Sequence, residues 1–127
     1  APATDTPDLA GAGEVVMGGG PVLGTYSFHG RGMLAGLLPN PKLLAHVAST
    51  AQQAAIPYQY GVFMGGLTDA SFLHLIGEGV PAIDLGFPCR YTHSPVETCS
   101  LRDLNALLEL LDTLLRNLKR LPDLSRG

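Results

Sequence analysis

From Val22 onward, short apolar segments with the composition of strands alternate with longer segments whose apolar residues recur at helical spacing. The order strand, helix, strand, helix, strand, helix is typical of an α/β layer, in which right-handed crossovers keep consecutive strands mostly parallel. We therefore expect an α/β fold over residues 22–127. Residues 1–21 have turn composition and no steady apolar period, so we expect a loop or linker there.

The three expected strands are residues 22–28, 58–64 and 80–88. Asn40 and Pro41 predict the start of the first helix, because Asn is a good N-cap and the first helical position needs no N–H. We expect this helix to reach about Ala55. Thr68 or Asp69 can cap a second helix through a side-chain oxygen. The expected packing face of the second helix is Phe72, Leu73 and Ile76.

The last helix has the most regular pattern in the chain. Ser100 followed by Asp103 resembles a capping box, in which the two side chains satisfy free backbone N–H groups at a helix start. Leucines then recur every three or four residues: Leu101, Leu104, Leu107, Leu108, Leu111, Leu114, Leu115, Leu118 and Leu121. This spacing predicts a long helix with an apolar face.

The composition excludes several classes of protein. Of the 127 residues, 46% are hydrophobic and 15% charged, which fits a globular protein. The net charge is −3 with no basic cluster, so a nucleic-acid partner is not expected. No run approaches the roughly 18 apolar residues of a membrane span, and the first residues lack an export signal. We therefore expect a cytoplasmic protein with no membrane partner, in which Cys89 and Cys99 are reduced.

Two polar loops follow expected strands. GGLTD, residues 65–69, follows the second strand, and CRYTHSPVE, residues 89–97, follows the third. Loops at the carboxyl ends of parallel strands emerge at one edge of the sheet, where open α/β sheets bind ligands. We therefore expect the two loops to face the same crevice.

His93 is the strongest candidate for chemistry in these loops. It shares its loop with Arg90, Tyr91, Ser94 and Glu97, and neutral imidazole is a common zinc ligand. An ordinary surface role stays open for His93, because zinc takes three or four protein ligands and this chain offers one. The other histidines lack acidic partners at ligand spacing and are interpreted as structural or exposed: His29, His46 and His74.

Three other kinds of site are poorly supported. Glycines 18–20 are not followed by the Lys-Ser/Thr of a phosphate-binding P-loop. His93 and Ser94 are adjacent, so their side chains point apart in an extended segment, and no G-x-S-x-G nucleophile motif is present. Asp69 and Glu97 are the carboxylates available to a glycoside hydrolase, but the chain has no tryptophan for a sugar platform.

The two loops carry a family resemblance. The residues concerned are Gly65-Gly66-Leu67-Thr68-Asp69-Ala70, then Pro88 through Glu97, followed by an L-R-D helix start. They resemble the C-terminal part of the TET-type metallo-aminopeptidases of peptidase family 42, some of which carry the label endoglucanase. The resemblance extends from Asp5 to the final helix and is specific at the two motifs. Leu67 departs from the family pattern, which usually has a small or polar residue there.

This resemblance implies a partial three-layer α/β/α sheet and a dinuclear zinc or cobalt exopeptidase that removes N-terminal residues from peptides. Two metal ions and a glutamate base would activate water for attack on the first peptide bond. His93 matches the family's last metal-ligating histidine. The residues implied to line the substrate side are Gly65, Gly66, Thr68 and Asp69, for which turning the chain and capping a helix is the structural alternative.

The resemblance assigns no catalytic residue to this chain, because the family's other ligands and its glutamate base come earlier in the parent. Residues 22–127 are then the C-terminal part of a catalytic domain, inactive alone, within a full-length homo-oligomer. The chain starts at Ala1 rather than Met, which also favours a piece of a longer protein. The alternative is a complete, non-catalytic binding or assembly module of the same fold; an endoglucanase is the weaker option.

Overall fold

The computed structural model describes residues 15–30 and 36–125, so most of the predicted linker lies outside the described residues. Strands β1 to β6 are Val22–Phe28, Gly36–Leu37, Gln59–Met64, Leu85–Gly86, Cys89–Arg90 and Thr98–Cys99. Helices α1 to α3 are Pro41–Gln53, Ala70–Leu73 and Leu101–Arg116, and a 3-10 turn, Leu118–Arg120, follows α3. The fold is α/β, as expected.

Strand β1 is the centre of a mixed sheet. It pairs in parallel with β3 along one edge, and its other edge is shared by β2 and β4, which are both antiparallel to it. The expectation of a mostly parallel sheet is therefore wrong for two of these pairings. The connection from Phe28 to Gly36 is short enough for a hairpin, whereas a parallel pair needs a long crossover. Among the described strands, β3 has no partner on its outer edge.

The third predicted strand is much shorter than expected. Of residues 80–88, only Leu85–Gly86 pairs with β1, although the Asp84 carbonyl also accepts a hydrogen bond from Gly24 N at 2.8 Å. Pro81 and Pro88 bracket this segment, and a proline has no N–H to donate to a sheet. The segment therefore contributes one short antiparallel contact instead of a full strand.

Helix α1 is confirmed with its predicted cap. The Asn40 side-chain oxygen accepts a hydrogen bond from Leu43 N at 3.0 Å, and Pro41 occupies the first turn. The Asn40 amide also donates to the Leu124 carbonyl at 2.9 Å, so the cap ties the helix start to the C-terminal segment. The central core consists of buried apolar residues from β1, α1, the segment after α1 and α3: Leu23, Val47, Ala48, Ala51, Ile56 and Leu110.

The second predicted helix is wrong in extent and packing. Helix α2 has four residues, and its N-cap Asp69 makes no side-chain cap hydrogen bond. The predicted packing face is exposed: Phe72, Leu73 and Ile76. Gly77 and Gly79 adopt positive φ angles of 60° and 96° directly afterwards. A helix interrupted this early gains little from its own hydrogen bonds, so only one turn persists.

Helix α3 is confirmed, but its predicted capping box is wrong. Ser100 is the N-cap without a side-chain cap hydrogen bond. The buried carboxylate of Asp103 instead accepts hydrogen bonds from Gly18 N at 2.7 Å and Gly20 N at 2.8 Å. Asp103 lies in the first turn of α3, where the helix dipole also favours a negative charge. This side chain therefore binds the turn before β1 rather than its own helix.

Leucines lie on two faces of α3. Leu107 and Leu110 are buried, whereas Leu101, Leu108 and Leu115 are 72%, 57% and 64% exposed. Within the described part of the chain, neither this helix nor α1 has the length and apolar character needed to cross a bilayer. The inner face of α3 packs in the core, and the outer face is an apolar surface.

We expect Asp103→Ala to lower the free energy of unfolding by about 2–4 kcal/mol, because the buried N–H of Gly20 and the partly buried N–H of Gly18 lose their carboxylate acceptor. Urea denaturation of the full-length protein measures this change. Glu109→Gln is the matched control, since Glu109 is exposed on the same helix. Equal free energies of unfolding for the two variants would show that the Asp103 hydrogen bonds do not stabilise the fold.

We expect Asn40→Ala to cost about 2–3 kcal/mol of stability, because it removes both the cap acceptor and the donor to Leu124. Asn40→Ser retains a cap acceptor and is expected to cost about half as much. Thermal unfolding of the two variants side by side measures the difference. If Asn40→Ser is as destabilising as Asn40→Ala, the cap hydrogen bond does not stabilise the start of α1.

Candidate functional site

The chain segments that follow β1 and β3 lie next to each other. Phe28 and Met64, the last residues of these parallel strands, are in register, and Gly65 N donates a hydrogen bond to the Phe28 carbonyl at 3.0 Å. His29 and Gly65 therefore begin two neighbouring segments at one edge of the sheet. This is the carboxyl edge, where open α/β sheets bind ligands.

The GGLTD loop turns sharply at this edge. Gly65 has a φ of 88°, a conformation that side-chain-bearing residues rarely adopt, and a Cβ at Gly66 would collide with the Phe63 ring. Thr68 N donates to the Ser71 hydroxyl at 3.4 Å, whereas Asp69 is exposed. The two glycines therefore allow the backbone to turn here. The side chains of this loop that could contact a ligand are those of Thr68 and Asp69.

Two buried polar atoms at this edge have no hydrogen-bond partner in the described part of the chain. They are the Thr68 hydroxyl oxygen and His29 Nδ1. Buried polar atoms are nearly always paired, so such an exception marks a place where another polar group fits. The sequence interpretation treated His29 as structural or exposed and so missed its place at this edge. The signal that could have identified it is its position directly after a central strand.

The loop between β5 and β6 has an unusual backbone. Tyr91 and His93 have φ angles of 60° and 62°, in the left-handed region that residues other than glycine seldom adopt. The Glu97 carboxylate accepts a hydrogen bond from His93 N at 2.6 Å, and Ser94 N donates to the Tyr91 carbonyl at 3.1 Å. The Glu97 contact holds the backbone of His93 in this conformation and leaves the His93 side chain exposed.

The two predicted loops do not leave the same sheet. The GGLTD loop follows β3 of the main sheet, whereas the loop carrying His93 connects β5 and β6, which form a separate two-stranded sheet. The premise that both loops follow parallel strands of one sheet is therefore wrong for the second loop. Their shared crevice stays a prediction. The Ser94 hydroxyl donates to the Val96 carbonyl at 2.7 Å, which leaves it engaged within its own loop.

The described residues do not form a metal centre by themselves. His93 has the right chemistry for one ligand, because its imidazole is exposed and a neutral ring nitrogen binds zinc. Across residues 15–30 and 36–125, however, no three His, Cys, Asp or Glu side chains are grouped to hold an ion. A structural or catalytic zinc takes at least three protein ligands. His93 therefore fits a metal site only as one member of a set.

Comparison with known proteins places the chain in a family. The sequence profile described as M42 glutamyl aminopeptidase matches residues 1–110. The protein SgcX of Escherichia coli (strain K12) is 42% identical over 113 residues, which are 89% of this chain and 30% of SgcX. The match therefore covers most of this chain and a minor part of its relative.

Solved aminopeptidase structures share the fold. Aminopeptidase APDkam598 from the archaeon Desulfurococcus kamchatkensis has a TM-score of 0.80 and 36% identity, covering 90% of this chain and 31% of its own. The Pyrococcus horikoshii TET1 peptidase, which can assemble into a tetrahedron or a large octahedral shell, has a TM-score of 0.64 and 33% identity over 80% and 28%. The chain thus spans less than a third of each of these proteins, and by profile, sequence and fold it belongs to the M42 glutamyl aminopeptidase family.

Proposed function

We propose that this chain is the C-terminal part of the catalytic domain of a metal-dependent aminopeptidase, which hydrolyses N-terminal residues from peptides in the cytoplasm. Family membership supports the reaction class. The observation that carries the assignment of a site is the loop between β5 and β6, in which the left-handed backbone at His93 is held by Glu97 and the imidazole is free to bind.

His93 is proposed as a metal ligand. When bound, a pair of divalent ions, zinc or cobalt, would polarise the scissile carbonyl and make water a better nucleophile. The imidazole of His93 would donate one ring nitrogen, and Glu97 would fix its direction through the His93 backbone. The remaining ligands and the general base are proposed to lie on polypeptide that precedes this chain, so no residue of this chain is assigned as the catalytic base.

The carboxyl edge of β1 and β3 is proposed as the substrate side. Gly65 and Gly66 let the backbone turn there, and Asp69 is an exposed carboxylate. The unpartnered Thr68 hydroxyl and His29 Nδ1 support this proposal, because a peptide substrate carries N–H and carbonyl groups that would pair with them. In this proposal the chain orients the peptide, and groups elsewhere carry out the proton transfer.

The full-length protein is proposed to be a homo-oligomer. The outer face of α3 presents Leu101, Leu108 and Leu115 to solvent at seven-residue spacing, and a line of exposed leucines supports a contact with another protein surface. The TET1 peptidase of Pyrococcus horikoshii, which is similar to this chain, can assemble into a tetrahedron or a large octahedral shell. The net charge of −3 gives no support to a nucleic-acid partner.

A non-catalytic binding or assembly module of the same fold is the second candidate. It is favoured by one observation, namely that the described residues contain no group of side chains able to hold a metal ion. The two candidates differ in what the full-length protein binds. An aminopeptidase acquires metal and hydrolyses aminoacyl-anilides, whereas a binding module does neither.

We expect His93→Ala in the full-length protein to lower aminopeptidase activity by at least about 100-fold and to reduce bound metal, because one ligand is lost. Turnover of an aminoacyl-anilide and elemental analysis of the purified protein measure the two effects. Ser94→Ala is the matched control in the same loop and is expected to retain both. Unchanged activity and metal content in His93→Ala would remove this histidine from the site.

The isolated chain of residues 1–127 is expected to hydrolyse no aminoacyl-anilide, even with added zinc or cobalt, because it supplies a single metal ligand. The assay compares the purified chain with the full-length protein under the same metal concentrations. Metal-dependent turnover by the isolated chain would contradict the proposed division of the site.

A further inference from the structure

The two cysteines of the chain face each other at the base of the loop that carries His93. Cys89 in β5 and Cys99 in β6 are directly opposite partners in the antiparallel register. Both are thiols in the structure, with Cys89 buried and Cys99 exposed. The residues between them, 90–98, include the left-handed Tyr91 and His93. A covalent link between the cysteines would therefore close this loop at its base.

The register gives the spacing that a disulfide requires. Directly opposite residues of an antiparallel pair have Cα atoms about 4.5–5.5 Å apart. Disulfides join Cα atoms about 4.4–6.8 Å apart, with both side chains on the same side of the pair. Because opposite residues also project to the same face of the ribbon, the register of Cys89 and Cys99 is compatible with both conditions.

The two thiols differ in exposure, and this difference determines which of them reacts first with a disulfide in solution. Cys99 is exposed and can react with a disulfide in solution, whereas Cys89 is 8% exposed and is shielded from a bulky oxidant. The thiolate is the nucleophile in such an exchange. Cys99 is therefore the attacking residue, and Cys89 is the resolving residue.

We propose that Cys89 and Cys99 form a reversible disulfide by exchange with a low-molecular-weight disulfide such as oxidised glutathione. The Cys99 thiolate attacks one glutathione sulfur, which forms a mixed disulfide and releases one glutathione thiol. The Cys89 thiolate then attacks the Cys99 sulfur and releases the second glutathione. Two protein thiols are oxidised and one glutathione disulfide is reduced to two thiols; the two protons lost by Cys89 and Cys99 are taken up by the departing glutathione thiolates, so no net proton is released.

The link would restrict the loop rather than create a new site. The described loop is stabilised by hydrogen bonds such as those of Glu97 and Ser94, and every side chain from Tyr91 to Thr98 is exposed. Such a segment opens easily, because few buried contacts oppose its motion. A bond between Cys89 and Cys99 would limit the separation of β5 and β6 and so slow this opening.

The experiment uses the full-length protein equilibrated with oxidised or reduced glutathione, quenched with an alkylating agent, digested with trypsin and analysed by mass spectrometry. Arg90 lies between the cysteines, so trypsin separates them into peptides 43–90 and 91–102. A disulfide therefore appears as these two peptides joined and lighter by two hydrogens. Cys99→Ser is the matched control, because Cys99 is exposed and its replacement leaves the core unchanged.

The joined peptides are expected to be at least about tenfold more abundant in oxidised than in reduced buffer, and absent from Cys99→Ser. Backbone amides of residues 91–98 are expected to exchange hydrogen several-fold more slowly in the oxidised protein. Glutathione attached to Cys99 without joined peptides, or joined peptides only between two protein molecules, would overturn the proposal. Neither readout depends on peptidase activity, so this test is separate from that of the proposed function.

Discussion

The buried carboxylate of Asp103 joins the beginning of the described fold to its end. It accepts two backbone hydrogen bonds from the glycine-containing turn before β1, at Gly18 and Gly20. The Gln59 side chain binds the same turn through Val16, so β3 is held to it as well. These contacts orient β1, the strand on which every other strand of the main sheet depends. The carboxyl edge with its unpartnered polar atoms follows from that placement.

Much of this fold is predictable from neighbours along the chain. Strand β1, helix α1 and helix α3 each have a local pattern, and α1 also has a cap that needs only Asn40 and the residues just after it. The wrong prediction of a capping box concerns a residue whose partners are distant in the sequence. Asp103 has the spacing of a local cap, yet its buried carboxylate accepts hydrogen bonds from Gly18 N and Gly20 N, which lie 85 and 83 residues earlier in the sequence. Periodicity carries no information about such contacts.

The candidate site can be predicted only in part from the sequence, because some of its features depend on contacts that form only in the folded chain. His93 stands out because its motif resembles a known family, and the Gly65 turn stands out because glycines precede a polar loop. The left-handed backbone at His93 and its contact with Glu97 are properties of a folded hairpin, which local composition does not specify. His29 has no motif, and its orphaned ring nitrogen becomes visible only once β1 and β3 are paired.

The outer edge of β3, which pairs with no other strand of residues 15–30 and 36–125, has a consequence for handling the chain. Gln59–Met64 carries no charged side chain, and Tyr60 and Val62 are more than half exposed. Natural sheets protect such an edge with lysine, proline or a covering segment, because a bare row of N–H and carbonyl groups recruits further strands. At high concentration the isolated polypeptide would therefore tend to stack edge to edge into insoluble ribbons, and a lysine at position 62 is the simplest gatekeeper against that growth.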